Sequence, residues 1–410
     1  MPAWLRTAGA LLLLAAVVAA MGARTWNHRV VPGEAEPFRE FGLIDFRDGI
    51  YYPTLAFVDG NIPYDAPTYL KKYPAAQNAP LYSPLMYLMH APLALLSFDG
   101  AGFFYLILCI VLTVTLGATS LHWSGVPLTV ARVAGLGALL MLSRPGLMHI
   151  ALVNVTTVTA FLAYLAFWYA LSRPGLSISA LAVSTFKGTY GLPIALLLWM
   201  RGDRRVVVVG LLLAALLTLP AVVRLTVGAG GITPIVDTLR ATYDARLEVP
   251  AKRPENSPYR IDAIATIART LGRSPTTPET LGIMAVILGA AGAALRRLRP
   301  HEDRARRLHA TSLATFAIVA AFYHQAYDAL ALTLPLVVLL ARPDLEPWRS
   351  HPGWRWTALA LVAVPFVNYL GTETGAEHFG EAMLLTASSV NGFAILAALA
   401  LYVRLAWRVP

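Results

Sequence analysis

Long apolar runs dominate the chain, and short polar clusters separate them. Twelve segments can be drawn, at roughly 4–23, 81–98, 101–121, 126–143, 147–171, 175–200, 205–228, 278–298, 309–324, 326–342, 355–371 and 382–405. A helix needs about 18 or more apolar residues to cross the hydrocarbon of a bilayer, and most of these runs reach or approach that length. The pattern therefore predicts an all-α polytopic membrane protein, a single domain over 1–410, with two long polar loops at 24–80 and 229–276. The first run carries Arg6 ahead of its apolar core and continues to Met21 without a polar break. No clear cleavage site precedes Arg24, so the run reads as a retained first helix rather than a leader that is removed.

The polar positions then assign the loops to sides. With the N-terminus in the cytoplasm, the cytoplasmic loops hold Arg201, Arg204 and Arg205. They also hold the cluster Arg296, Arg297, Arg299, Arg304, Arg306 and Arg307, and the tail with Arg404 and Arg408. The 24–80 loop, the 229–276 loop and the acidic TETGAEHFGE turn at 372–381 fall on the opposite side. Basic short loops on one side are what membrane insertion favours. That accounts for a net charge of +10 without nucleic acid, for which no basic face interleaved with aromatics exists outside the apolar runs. Composition agrees: 57% of residues are hydrophobic and 14% charged, against about 25% charged in a soluble domain. The single cysteine, Cys109, lies within an apolar run, which excludes a disulfide framework and a thiolate metal site. The chain has no Walker loop, no GxGxxG after a strand and no HExxH, and no internal repeat of the kind that builds many transporters is evident.

Chemistry-bearing residues concentrate in the stretch 45–95. Asp45 and Asp48 precede an aromatic pair, Tyr51 and Tyr52, on whose rings a sugar could stack. A Gly-Asn turn, the Lys71–Lys72 pair and a Pro-Leu-Tyr-Ser-Pro entry containing Tyr82 follow. A carboxylate held near an acceptor hydroxyl can take its proton, and Asp48 is placed for that; an Asp ahead of a helix serves equally as an N-cap. His324, in FYHQAYDALALTLP, shares that membrane side and could donate to a phosphate or steer an acceptor; it could also simply bond a loop carbonyl. Asp328 could orient it or cap a helix. Lys187 interrupts the 175–200 run beside Gly188, Gly191 and Pro193. A cation within a membrane segment is costly and faces a cavity or partner by default, where it could meet the phosphate of a leaving group; snorkelling from a broken helix is the alternative. Asn154, Thr156 and Thr157 put polar groups into another run. Arg144 and His149 fall toward the cytoplasmic side in this topology and are left out. Arg240, Tyr243, Asp244, Arg246 and Tyr259 give the 229–276 loop a polar character without a diagnostic spacing.

These residues carry a resemblance. D-x-x-x-Y, G-N-I-P-Y-D and Y-S-P-L-x-Y-L-x-x-A-P-L-A-L-L resemble the first-loop pattern of glycosyltransferase family 87, which includes polyprenol-phosphate-mannose-dependent mannosyltransferases. L-V-N-V-T at 152–156, the Lys187 segment and Y-H-Q-A-Y-D-A-L-A-L-T-L-P at 323–335 are similar to later patches of that family, so the likeness extends over most of the chain. It departs ahead of Asn154, where relatives tend to have G-Q-x-N and this chain has no Gln, and at Gly188, where they tend to have Pro. The resemblance implies a GT-C-like bundle of about 12 transmembrane helices with a large first extracytoplasmic loop, working in the cell membrane. It implies inverting transfer of a sugar, mannose first, from a polyprenyl-phosphate donor to a lipid or glycan acceptor, with no metal or other cofactor. By motif, Asp48 matches the general base and His324 the late active-site histidine. Asp45, Tyr51, Tyr52, Tyr82, Asn154, Lys187 and Asp328 are the expected substrate contacts. Membrane lipids are the expected surroundings. Two other classes compete: a flippase or transporter of lipid-linked sugars, using Lys187 and Asn154 as a midplane site, and a non-catalytic scaffold for envelope assembly. Acids gathered in an outer loop rather than at the midplane favour transfer.

Overall fold

The computed structural model describes residues 2–33, 41–249, 252–299 and 303–408. Residues 34–40 of the first loop and 250–251 of the second lie outside these, as does the side chain of Arg246. Among the described residues the chain is helical throughout, and strand pairing is confined to two isolated bridges, Arg29 with Gly42 and Arg260 with Gln325. Among the described residues, five helices are long and apolar enough to cross a membrane: Ala3–Asn27, Phe98–Ser124, Arg204–Gly228, Thr277–Arg297 and Ala382–Ala406. The pair Val130–Leu142 and Arg144–Leu152, bent by 78°, makes a sixth if counted as one broken span. The expected count of about 12 is thus not met by unbroken helices. Several of the remaining apolar runs are split by residues that hydropathy alone does not weigh, while those at 309–324 and 355–371 lie in the unbroken helices Arg304–Ala321 and Pro352–Val367.

Each split has a local cause. At Ser143-Arg144-Pro145-Gly146 the Ser143 hydroxyl accepts from Gly146 N at 3.3 Å and Pro145 occupies the first turn of the new helix. Proline there needs no helical donor. A Cβ on Gly146 would lie 1.9 Å from the Leu140 carbonyl oxygen, so only glycine permits the sharp turn. At 153–155, Val153 takes the left-handed conformation (φ 53), and Asn154 Oδ1 then accepts from Thr156 N at 2.9 Å to start Thr156–Tyr169. A third break separates Pro174–Ser184 from Gly188–Arg201, with Lys187 at the junction. The fourth follows Arg304–Ala321: the chain runs extended at Phe322, forms a 3-10 turn over Ala326–Leu332, and resumes as Thr333–Ala341. The 81–98 run is likewise only Leu85–His90 plus a 3-10 turn at Ala91–Leu95, interrupted by Pro92.

Backbone hydrogen bonds tie both long loops to these breaks. Leu43 N donates to the Ala151 carbonyl (2.9 Å) and Ser83 N to the Phe186 carbonyl (3.0 Å). From the second loop, Ile261 N donates to the His324 carbonyl (3.0 Å), and Tyr259 O accepts from Ala326 N (2.8 Å). Irregular backbone at membrane depth requires such partners, because unpaired peptide groups cannot be left facing lipid. The arginine-rich loops gather away from this region: Asp203 pairs with Arg201 and lies 3.9 Å from Arg299.

Candidate active site

The four breaks and the loops meet in one cavity of about 2440 Å³. Residues of the 24–80 loop, the 229–276 loop and the 372–381 turn all line it. Asp45, Asp48, Tyr82, Asn154, Lys187 and Asp328 are on its wall.

Asp328 is the hub. It is almost fully buried, and its Oδ1 accepts from Thr156 Oγ1 (3.0 Å), Lys187 Nζ (3.1 Å) and Tyr190 OH (3.2 Å). Its other oxygen accepts from Gln325 N at 3.1 Å, closing the start of the 3-10 turn. Three helix breaks therefore converge on one carboxylate. Lys187 is held as the partner of Asp328, with Nζ 5.1 Å from the ring centre of Tyr190 and 5.9 Å from that of Tyr327. A buried lysine is tolerable when its charge is matched in this way.

The two loop acids differ. A single π-turn at Arg47–Tyr51 follows the short helix Ile44–Phe46, so the two acids stand on different kinds of turn. Asp48 is buried and bound in a two-point contact by Arg47, Nε to Oδ1 at 2.7 Å and Nη2 to Oδ2 at 3.1 Å. It also accepts from Ala76 N at 3.2 Å. Asp45 is half-buried, deep in the cavity. Burial pushes its carboxyl up to about 6; the nearby Lys187 charge opposes that rise, and the Asp48 charge adds to it. A carboxyl near neutrality, in contact with the cavity, has the properties of a proton acceptor.

Three expectations for the site are corrected. Tyr51 and Tyr52 do not line the cavity: Tyr51 OH donates to the Leu96 carbonyl (2.7 Å), and the Tyr52 ring stacks on Phe98 at 5.9 Å and 5°. The π-turn rotates both rings into the aromatic core, so they are not surfaces for a sugar. His324 is fully buried and off the cavity wall. Its Nδ1 lies 3.1 Å from Asp328 Oδ2, an ion-pair distance along a direction poor for a hydrogen bond, and its ring meets Tyr190 edge to face at 4.8 Å. It sits behind Asp328 rather than beside a substrate. Arg144 and His149, expected near the cytoplasm, are here instead. Arg144 lines the cavity, and His149 is buried with Nδ1 2.9 Å from Asn154 Oδ1 and Nε2 3.2 Å from Thr157 Oγ1. The Ser-Arg-Pro-Gly sequence, a helix-restart signal inside an apolar run, was the sign that could have found Arg144. In the second loop, Tyr243 and Tyr259 reach the cavity while Arg240 and Asp244 do not. The loop is fastened by the buried Arg260–Asp262 pair, two contacts of 2.8 Å, and by Thr242 Oγ1 donating to the Tyr64 carbonyl (2.5 Å).

The structure is that of a polytopic all-α membrane protein with a large cavity, acidic side chains on its wall and broken helices around it. A sequence model of glycosyltransferase family 87 matches residues 81–323, more than half of the chain, and the chain belongs to that family. It is a membrane glycosyltransferase. The matched stretch takes in Tyr82, Arg144, Asn154 and Lys187; the acid pair precedes it, and His324 and Asp328 follow it. No curated protein and no solved structure matches the chain.

Proposed function

We propose that this chain moves a sugar, mannose first, from a polyprenyl-phosphate donor to a hydroxyl of a lipid or glycan acceptor, with inversion, on the extracytoplasmic face of the cell membrane. The observation that carries the proposal is the place of Asp45 on the cavity wall, bonded by Asn154 and Tyr327 and close to the charge of the Lys187–Asp328 pair, with burial pushing its carboxyl up to about 6. The cavity is large enough for a lipid phosphate, its sugar and an acceptor together. In one displacement, Asp45 takes the acceptor proton, the acceptor oxygen forms a bond to the anomeric carbon, and the bond from that carbon to the phosphate oxygen breaks. The phosphate leaves with the electron pair. Asp328 and His324 act as positioning residues that fix Lys187, and Lys187 keeps Asp45 from becoming permanently protonated.

A second reading gives the base role to Asp48, favoured by its place in D-x-x-x-Y. Against it stands the Arg47 guanidinium, which occupies both oxygens of that carboxylate. The orientation with the cavity outside rests on the arginine pattern, whose residues are absent from the cavity wall. Purified protein incubated with a set of radiolabelled polyprenyl-phosphate sugars and a membrane lipid extract tests the proposal. Labelled product made by wild type and lost in Asp45→Asn supports it. Donor bound without any product would favour a transporter.

A further inference from the structure

Arg144 is the buried cation that the transfer chemistry above leaves without a role. It is about 2% exposed, it lines the cavity, and it forms no ion pair among the described residues. Its Nη2 donates to the Gly371 carbonyl, whereas Nε and Nη1 have no hydrogen-bond partner. Buried charges are ordinarily paired, and a guanidinium with two idle donors is a departure that calls for an occupant. It also stands in the first turn of Arg144–Leu152, where the helix dipole favours an anion.

Its place on the wall decides what that anion is. Arg144, Leu147, Met148, Ala151 and Leu152 all line the cavity, one continuous face of the helix at i, i+3, i+4, i+7 and i+8. The helix has 9 residues, so Arg144 sits about 12 Å from the end that leads to Asn154 and the Asp45 region. In an in-line displacement the base and the leaving oxyanion stand on opposite sides of the reacting carbon. A base-to-hydroxyl contact of about 2.7 Å, an attack distance of about 3 Å, the breaking linkage and a final contact to a cation together span about 10–13 Å. Lys187 lies on the Asp45 side of that span and is already engaged by Asp328. Arg144 lies at the other end and is engaged by nothing charged.

We propose that Arg144 is an oxyanion subsite of the cavity, and that it receives the phosphate of the lipid-linked donor as that phosphate leaves. This rests on the transfer reading for its role, though not for its existence as a binding site. In this structure the guanidinium lies against Gly371, where an added Cβ would come within 3.0–3.3 Å of it. Rotation about its long side chain toward the cavity presents both idle donors to a phosphate in the two-point manner guanidinium favours. The apolar face between Arg144 and Asn154 then lies along the body of the ligand.

Full-length protein in neutral detergent, titrated with decyl phosphate and separately with dihexanoyl phosphatidylglycerol, tests this by direct binding. Arg144→Gln should weaken at least one probe tenfold or more. Arg144→Lys should recover part of the loss, and Gly371→Ala should give an intermediate loss by pushing the guanidinium aside. Loss confined to decyl phosphate supports the donor's leaving phosphate as the occupant. Loss confined to the phosphodiester keeps the oxyanion subsite but overturns that occupant in favour of an anionic acceptor. Both probes binding Arg144→Gln within twofold of wild type, or both binding Gly371→Ala and Arg144→Lys unchanged if the Gln variant fails to fold, overturns the subsite. Binding is read without turnover, so phosphate bound through Arg144 in a chain that transfers no sugar would count against the transfer reading alone.

Discussion

Replacing Asp328 with Asn removes one charge from the junction of three helix breaks and keeps its shape. Asp328 and Lys187 are 2% and 8% exposed at the side chain and 3.1 Å apart. Removing one partner of a buried pair leaves the other charge uncompensated and costs about 3–5 kcal/mol. Asp328→Asn and Lys187→Met should each fall near that range. The double variant leaves neither charge stranded, so it should cost less than the sum of the two by about 2–3 kcal/mol, the upper part of the coupling range for contacting residues. Unfolding of the purified protein in mixed micelles, followed by helical circular dichroism, measures all four corners of the cycle. Costs that add to within about 0.5 kcal/mol would refute the coupling, and with it the claim that Asp328 holds the cavity together by holding Lys187.

Other outcomes follow from the same geometry. A base acts only when ionised, so kcat/KM should rise with pH through about 6 and level above it; Asp45→Asn should abolish that limb together with activity. The folded pKa stands above the ordinary 3.8, so the folded chain keeps a proton that the unfolded chain has released; the Asp45 contribution to stability therefore declines as pH climbs from about 4 to about 6. Asn154→Ala removes the acceptor of Thr156 N at the start of Thr156–Tyr169 and the partner of His149, and should lower stability by about 1–2 kcal/mol, with Asn154→Asp milder because it keeps the acceptor. A Cβ on Gly42 would lie 2.2 Å from the Thr25 carbonyl oxygen, so Gly42→Ala should unseat the first loop from helix Ala3–Asn27 at a cost of about 1–3 kcal/mol. Gly9→Ala, which meets nothing within 4 Å, should change stability by less than about 0.5 kcal/mol in the same unfolding assay.

Polar residues inside apolar runs were the most legible part of the sequence. Asn154, Lys187 and Asp328 interrupt such runs, Asp45 and Asp48 stand in the polar loop before one, and the fold gathers all five on one cavity wall. The reason is general: a polar group at membrane depth needs a partner, and the partners available were one another. What hydropathy could not convey was direction. It counts a run as apolar whether it is straight or bent by 78°, so it gave no sign that the chain turns at Ser143–Arg144 and brings Arg144 to the cavity wall. It also cannot register the π-turn at Arg47–Tyr51, which turns Tyr51 and Tyr52 inward. Nor does spacing reveal that Arg47 bonds its neighbour Asp48 while Asp45 meets Asn154, Tyr327 and the Lys187 charge instead. His324 illustrates the same limit, since its motif position is beside the site but its ring is packed behind Asp328.

The most direct measurement compares single-turnover sugar transfer by wild type, Asp45→Asn and Asp48→Asn from a radiolabelled polyprenyl-phosphate sugar to a membrane lipid extract. The account predicts labelled product from wild type, none from Asp45→Asn, and reduced but measurable product from Asp48→Asn. Full activity in Asp45→Asn with none in Asp48→Asn would contradict it and move the base to Asp48.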